Sequence, residues 1–170
     1  MTTFVYIVGD SEVNVWGLSG RERLQRMLRA HHEKIALVDD LEHIPDGGQV
    51  LFLCADHLFD ARVLSALIQT QSNFILDSNS DQIAAIHIAE GNAFNVLADF
   101  LGEGDGNAIS IFPRYSLDEL NLNLQQKNLK KKDAPYLFFI NRANYKVLES
   151  ELFSGSYKGV TDLVTKWVWP

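Results

Sequence analysis

Cysteine is almost absent. The single thiol, Cys54, sits inside the apolar run VLFLCAD, so no disulfide framework can form within the chain and a reducing compartment is favoured. Long hydrophobic runs are missing as well: no stretch approaches the ~20 consecutive apolar residues that cross a bilayer. The start, MTTFVYIVGDSE, has neither the basic head nor the apolar core of a signal peptide. Positive charge is in short supply, with 15 Lys and Arg against 22 Asp and Glu, and the net charge of −7 removes bulk attraction to nucleic acid. There are no internal repeats and no low-complexity segments. These absences predict a soluble, cytosolic chain with no nucleic-acid partner.

What is present fits a layered α/β domain. Its 170 residues are 46% hydrophobic, enough for one full core. Short apolar runs at 4–9, 34–40, 49–56, 73–78, 83–88 and 108–113 read as strands. Several are apolar throughout, as in a sheet covered on both faces. Between them 20–32, 60–70 and 91–102 read as helices, with DGNA (105–108) as a turn. In the first helix Leu24, Met27, Leu28 and His31 form one stripe, and the arginines are expected elsewhere. From Ser116 the pattern becomes polar and basic-ended, and 143–155 reads as another helix. The chain divides into an α/β domain over 1–115 and a helical connector over 116–170.

The connector ends in YKGVTDLVTKWVWP. As a helix, 160–168 would place Val160, Leu163, Val164, Trp167 and Val168 on one apolar face, with Thr161, Asp162, Thr165 and Lys166 opposite. Trp167, Trp169 and a neighbouring lysine suit a membrane interface. Docking on the domain's own core would bury the same face. Lys127, Lys130, Lys131 and Lys132 form a basic cluster upstream. Each could add about 1 kcal/mol of attraction to anionic lipid, or simply complement the end of a helix.

LFSGSYKGVTDLVTKWVWP, together with KKKDAPYLFFINRANYKVLESE, resembles the connector of bacterial CDP-alcohol phosphatidyltransferases, which joins a cytosolic N-terminal domain to a membrane-embedded catalytic domain. VWGLSGRERLQRML (15–28) and CADHLFDARVLSALI (54–68) resemble the N-terminal domain of that group, itself similar to sugar-phosphate nucleotidyltransferases. The resemblance implies a three-layer, nucleotidyltransferase-like (Rossmann-like) sheet at the cytoplasmic face of the inner membrane. Its implied partners are the chain's own membrane-embedded catalytic domain and the membrane surface, and a homodimer is compatible with it. The DGxxAR signature of the membrane enzymes does not occur in these residues, so the sequence is expected to be the soluble front end, cut at Pro170.

A nucleotidyltransferase needs backbone N–H groups to cradle a triphosphate, a cation to neutralise it and carboxylates to hold Mg²⁺. Asp56, at the end of an apolar strand and in the ADH run where relatives carry a metal-binding aspartate, is the candidate Mg²⁺ ligand for a CTP site; a turn carboxylate is the plainer reading. Asp60 is expected to cap the helix starting at Ala61. The loop is where the pattern departs from active relatives. Gly9, Gly17 and Gly20 are dispersed, Asp10 and Glu12 bring negative charge to the phosphate position, and no proline–lysine pair follows. Gly9, Gly17, Arg21 and Arg23 remain candidate phosphate contacts, with Arg26 and Arg29 behind them, since arginine pairs phosphate bidentately; a solvated helix face is the alternative. Asp39 and Asp40 could meet a ribose or a metal, or form a turn. His31, His32, His43, His57 and His87 have no zinc-type spacing with cysteine. The expectation is a degenerate nucleotidyltransferase with an accessory role. The rivals are an active Mg²⁺-dependent CTP:sugar- or alcohol-phosphate cytidylyltransferase and a non-catalytic dimerisation or membrane-docking module.

Overall fold

The computed structural model describes residues 2–45, 47–78, 82–89, 92–119 and 135–156. The first strand, β1 (Thr3–Val8), leads through a loop to helix α1 (Gly20–Leu28), a short 3-10 turn and β2 (Ile35–Val38). Next come β3 (Gln49–Cys54), β4 (His57–Phe59), α2 (Ala61–Gln69), β5 (Phe74–Asp77), β6 (Ile83–Ile88) and α3 (Ala93–Leu101). The chain continues through α4 (Asn107–Ser110), β7 (Arg114–Ser116), β8 (Leu137–Phe139) and α5 (Tyr145–Ser156).

Six strands form one mixed sheet in the order β2-β1-β3-β6-β5-β7, and β4 pairs with β8 in a separate two-stranded sheet. In the large sheet β6 runs against its neighbours β3 and β5, whereas β1 is parallel to β2 and β3, and β5 is parallel to β7. Side-chain alternation explains the layers. Val5 and Ile7 of β1, Leu51 and Leu53 of β3, and Phe74 and Leu76 of β5 meet Leu24 and Leu28 of α1 and Val63, Leu64 and Leu67 of α2. Val50, Phe52, Ile75, Ile86 and Ile88 turn the other way, toward Val96, Leu97 and Phe100 of α3. β3 is buried along its whole length, as an apolar strand between two helical layers should be. Each fully buried side chain such as Phe52 or Leu53 contributes ~1.5–3 kcal/mol. Burial pushes the Cys54 thiol pKa far up, so it is packing material rather than a nucleophile.

Two expectations fail. Residues 108–113 are not a strand: 107–110 is a turn of helix, and pairing with β5 starts only at Arg114. The Asp99 carboxylate accepts hydrogen bonds from the amides of Gly106, Ala108 and Ile109 and winds the segment up. Pro113, which has no N–H to give to a ladder, precedes the strand and only accepts, from Ile75 N. The two-stranded sheet is the other surprise, since neither HLF nor LFF was read as a strand. A third cluster, Val15, Leu58, Ile140 and Leu148, packs the β1–α1 loop against this sheet and α5. The expected boundary at 115 falls inside β7. Among the described residues no helix is long and apolar enough to cross a membrane.

Candidate functional site

The carboxyl ends of parallel strands are where open α/β sheets place ligands. Here β1 and β3 end side by side, and the loop 9–19, the turn at Ala55–Asp56 and the first turn of α1 meet above them. A helix start offers unpaired N–H groups, the raw material of a phosphate cradle.

In this chain the loop's own side chains take those groups. Gly20 N donates to Ser11 Oγ (2.8 Å), Arg21 N to Asp10 Oδ1 (3.0 Å) and Glu22 N to Ser19 Oγ (3.3 Å), while Arg23 N donates to the Ser19 carbonyl (3.0 Å). Glu22 reaches back to Ser19 N at 3.1 Å, completing a capping box. Asp10 also accepts from Ser11 N. Burial would raise the Asp10 pKa, but hydrogen bonds from Arg21, Ser11 and Ser19 and the Arg21 charge outweigh it, and the carboxyl sits below its ordinary range. An ionised carboxylate therefore occupies the place a triphosphate would need.

The glycines serve other ends. Gly9 turns the chain out of β1 at φ 67°. Trp16 (φ 50°) and Gly17 (φ 75°) are the two central residues of a turn closed by the Val15–Leu18 bridge. Left-handed conformation at both positions is the habit of mirror-image hairpin turns. Trp16 is the one non-glycine residue with positive φ among the described residues, and its amide donates to Glu149 Oε1 at 2.7 Å, tying the loop to α5. Gly20 has a different duty: a Cβ there would overlap the Ala55 carbonyl, so α1 presses directly on the end of β3.

Arg21 and Arg23 part ways. Arg21 folds back onto β1, its Nη2 donating to Ile7 O at 2.6 Å and its Nε to Gly9 O at 3.3 Å, with Asp39 at 3.9 Å. Arg23 is buried, against the expectation that the arginines avoid the core side. Because Gly20 lets the first turn sit so close, the residue one turn on is drawn in with it. Nη1 and Nη2 of Arg23 have no hydrogen-bond partner. Burial lowers its pKa, and the nearby Tyr136 and Asp10 oppose that. Tyr136 is itself pushed up, first by burial and then by Asp60, with Arg62 and Arg23 acting the other way.

Asp56 occupies the turn between β3 and β4. Its carbonyl accepts from Ile140 N (2.8 Å), and its Oδ1 lies 2.7 Å from His57 Nδ1. The Asp56 side chain is 40% exposed and the His57 side chain 1%. Phe139 tilts against the His57 ring, with centroids 5.4 Å apart. Mg²⁺ takes near-octahedral oxygen sets, and one carboxylate already facing a histidine is a poor match. Among the described residues no group of three His, Cys, Asp or Glu side chains could hold a metal ion. Asp60 is the N-cap of α2, accepting from Arg62 N, and its carboxylate also pairs with the Arg62 guanidinium. Asp40 caps a 3-10 turn through Glu42 N. Lys130, Lys131, Lys132, Trp167 and Trp169 lie outside the described residues.

Sequence reading overlooked Tyr136 and the burial of Arg23. The run YLFFI (136–140) carried a signal, an apolar stretch of strand length beside a lysine cluster. No protein-family model matches the chain, and no curated protein matches it.

Proposed function

We propose that the chain is the cytosolic accessory domain of a CDP-alcohol phosphatidyltransferase in phospholipid synthesis, a nucleotidyltransferase-like α/β domain that no longer transfers nucleotides. One observation carries the loss of catalysis: the amides at the start of α1 that would cradle a triphosphate are taken by Ser11, Asp10 and Ser19. The thin donor set at Asp56 supports the same reading. The mixed sheet with helical layers on both faces is compatible with the nucleotidyltransferase-like fold. The link to a membrane enzyme rests on the likeness of 130–170 to the connector of that family. In this reading the domain orients or docks the membrane-embedded catalytic domain at the cytoplasmic face of the inner membrane. The same reading assigns contact with lipid or that domain to Lys130, Lys131, Lys132, Trp167 and Trp169, which lie outside the described residues, and a homodimer is compatible with the same role.

Two measurements test it. The native protein should sediment with membranes and resist carbonate extraction; recovery in the supernatant without carbonate contradicts the membrane assignment. The 170-residue chain should release no pyrophosphate from CTP and Mg²⁺ with sugar or inositol phosphates. Release that disappears in Asp56→Asn would instead favour the active cytidylyltransferase.

A further inference from the structure

The large sheet ends in β2 on one side and β7 on the other. Natural sheets guard such edges with charge or proline, because unpaired N–H and C=O groups invite another strand. β7 is guarded: Pro113 precedes it and Arg114 begins it. β2 reads IALV and carries neither. Among the described residues no strand pairs with its outer side. The Thr3 amide donates to the Lys34 carbonyl, so the even-numbered residues of β2 turn their peptide groups toward β1, while Ile35 and Leu37 turn theirs outward. The Leu37 side chain is exposed. So are Phe94 and Leu101 of α3, which line a cleft against the carboxyl end of β2.

Charge is divided along this edge. Lys34 precedes the strand, Asp39 and Asp40 follow it, and all three are exposed. An antiparallel partner brings opposite ends together, so a second copy of β2 sets its lysine against these carboxylates. Facing residues of an antiparallel pair share one side of the sheet, and a symmetric pair must therefore centre on a residue that faces itself. Centred on Leu37, the pairing joins the outward peptide groups of the two strands and places Lys34 opposite the partner's Asp40. Centred on Ala36, it would set Asp39 opposite the partner's Glu33, two like charges. The backbone at Asp40 is still extended (φ −141°, ψ 134°), so the alternation carries through to it. Val38 is in register with Tyr6, which packs in the α3 layer, so Lys34 and Asp40 lie on the α3 side. The cleft on that side is lined by Asp39, Asp40 and Glu103, with no lysine or arginine in its lining.

We propose that β2 is the edge through which the chain pairs with a second copy of itself, the two large sheets joining in an antiparallel β2–β2 contact about a two-fold axis at Leu37. The contact is isologous, so the symmetry repeats every Lys34–Asp40 pair and leaves neither β2 edge open to a third chain. The inference stands on the strand edge alone and holds whether or not the chain belongs to a phosphatidyltransferase.

The test is analytical ultracentrifugation of the whole chain over a concentration series. The expected result is a reversible monomer–dimer equilibrium. Leu37→Lys sets two like charges face to face at the axis and should leave a monomer; because the side chain is exposed, its Tm at low concentration should match the wild type. Lys34→Glu and Asp40→Lys each oppose like charges and should weaken self-association about tenfold. Mixed in equal amounts, these two variants should form a heterodimer at near wild-type affinity, since each restores the pairing the other has lost. A wild-type chain that stays monomeric up to millimolar concentration would overturn the proposal. A dimer that persists in Leu37→Lys would place association elsewhere, residues 157–170 included, and would overturn it too. A mixture that associates no better than its components would overturn the register. If Leu37→Lys did not fold, the mixture of charge variants would still decide.

Discussion

The β1–α1 loop and the buried side of α1 beneath it share one helix and differ in how their polar groups are met. In the loop, Ser11, Asp10 and Ser19 give every amide of the first turn of α1 an acceptor. One turn further along, buried Arg23 leaves both Nη atoms without a hydrogen-bond partner. The helix start, the usual anion site of an α/β sheet, is thus closed by the protein's own carboxylate, whereas a side chain beyond it is left without a hydrogen bond. A helix N-terminus is a site only if nothing in the chain has already filled it.

The comparison breaks most completely at Gly20. Gly20→Ala drives a Cβ into the Ala55 carbonyl and should cost about 3 kcal/mol, the upper range for overpacking, measured as a lowered urea midpoint. It should unsettle the loop and the buried side of α1 together. Asp10→Ala acts on the loop and also removes the carboxylate charge that supports Arg23. It leaves the Ser11 and Arg21 amides without their acceptor and should cost about 1 kcal/mol, as loss of a cap does, with Arg23 still buried.

His87 supplies the control, an orphan nitrogen in the sheet away from α1. Its Nδ1 lies 2.9 Å from the Ser72 carbonyl. Burial lowers its pKa from the ordinary 6.5, with the Ser72 hydrogen bond opposing. A folded-state pKa below the unfolded one means that the unfolded chain binds the proton more readily. Stability is then full above about pH 6.5 and falls as the pH drops through the window below it. His87→Leu should flatten this acid-side slope in denaturation curves taken between neutral and mildly acidic pH. His57→Phe is the mildest test. Replacing a half-satisfied buried ring by an apolar one of similar shape should change stability by less than about 1 kcal/mol, since Asp56 can turn to water. A larger loss would show that the His57–Asp56 contact holds the turn.

Much of the loop was legible in the residues themselves. Asp10 and Glu12 announced negative charge where phosphate would sit, and Asp60 before an apolar helical stripe announced its cap. The apolar run of β3 marked a strand covered on both faces. The burial of Arg23 and the small sheet were not legible, for physical reasons. Arg23 is buried because Gly20 lets α1 touch Ala55, a contact between distant residues. The small sheet joins His57 to Phe139, and its strands are three residues each, too short for alternation to declare itself. The segment 108–113 read as a strand from its apolar residues, but the Asp99 carboxylate decided otherwise.

The central claim is that the first turn of α1 offers no cradle for a nucleoside triphosphate. Calorimetric titration of the chain with CTP and Mg²⁺, beside Asp56→Asn and an ATP control, tests it most directly. The account predicts no saturable, Mg²⁺-dependent binding up to millimolar CTP in either protein. Cytidine-selective binding that requires Mg²⁺ and vanishes in Asp56→Asn would contradict it.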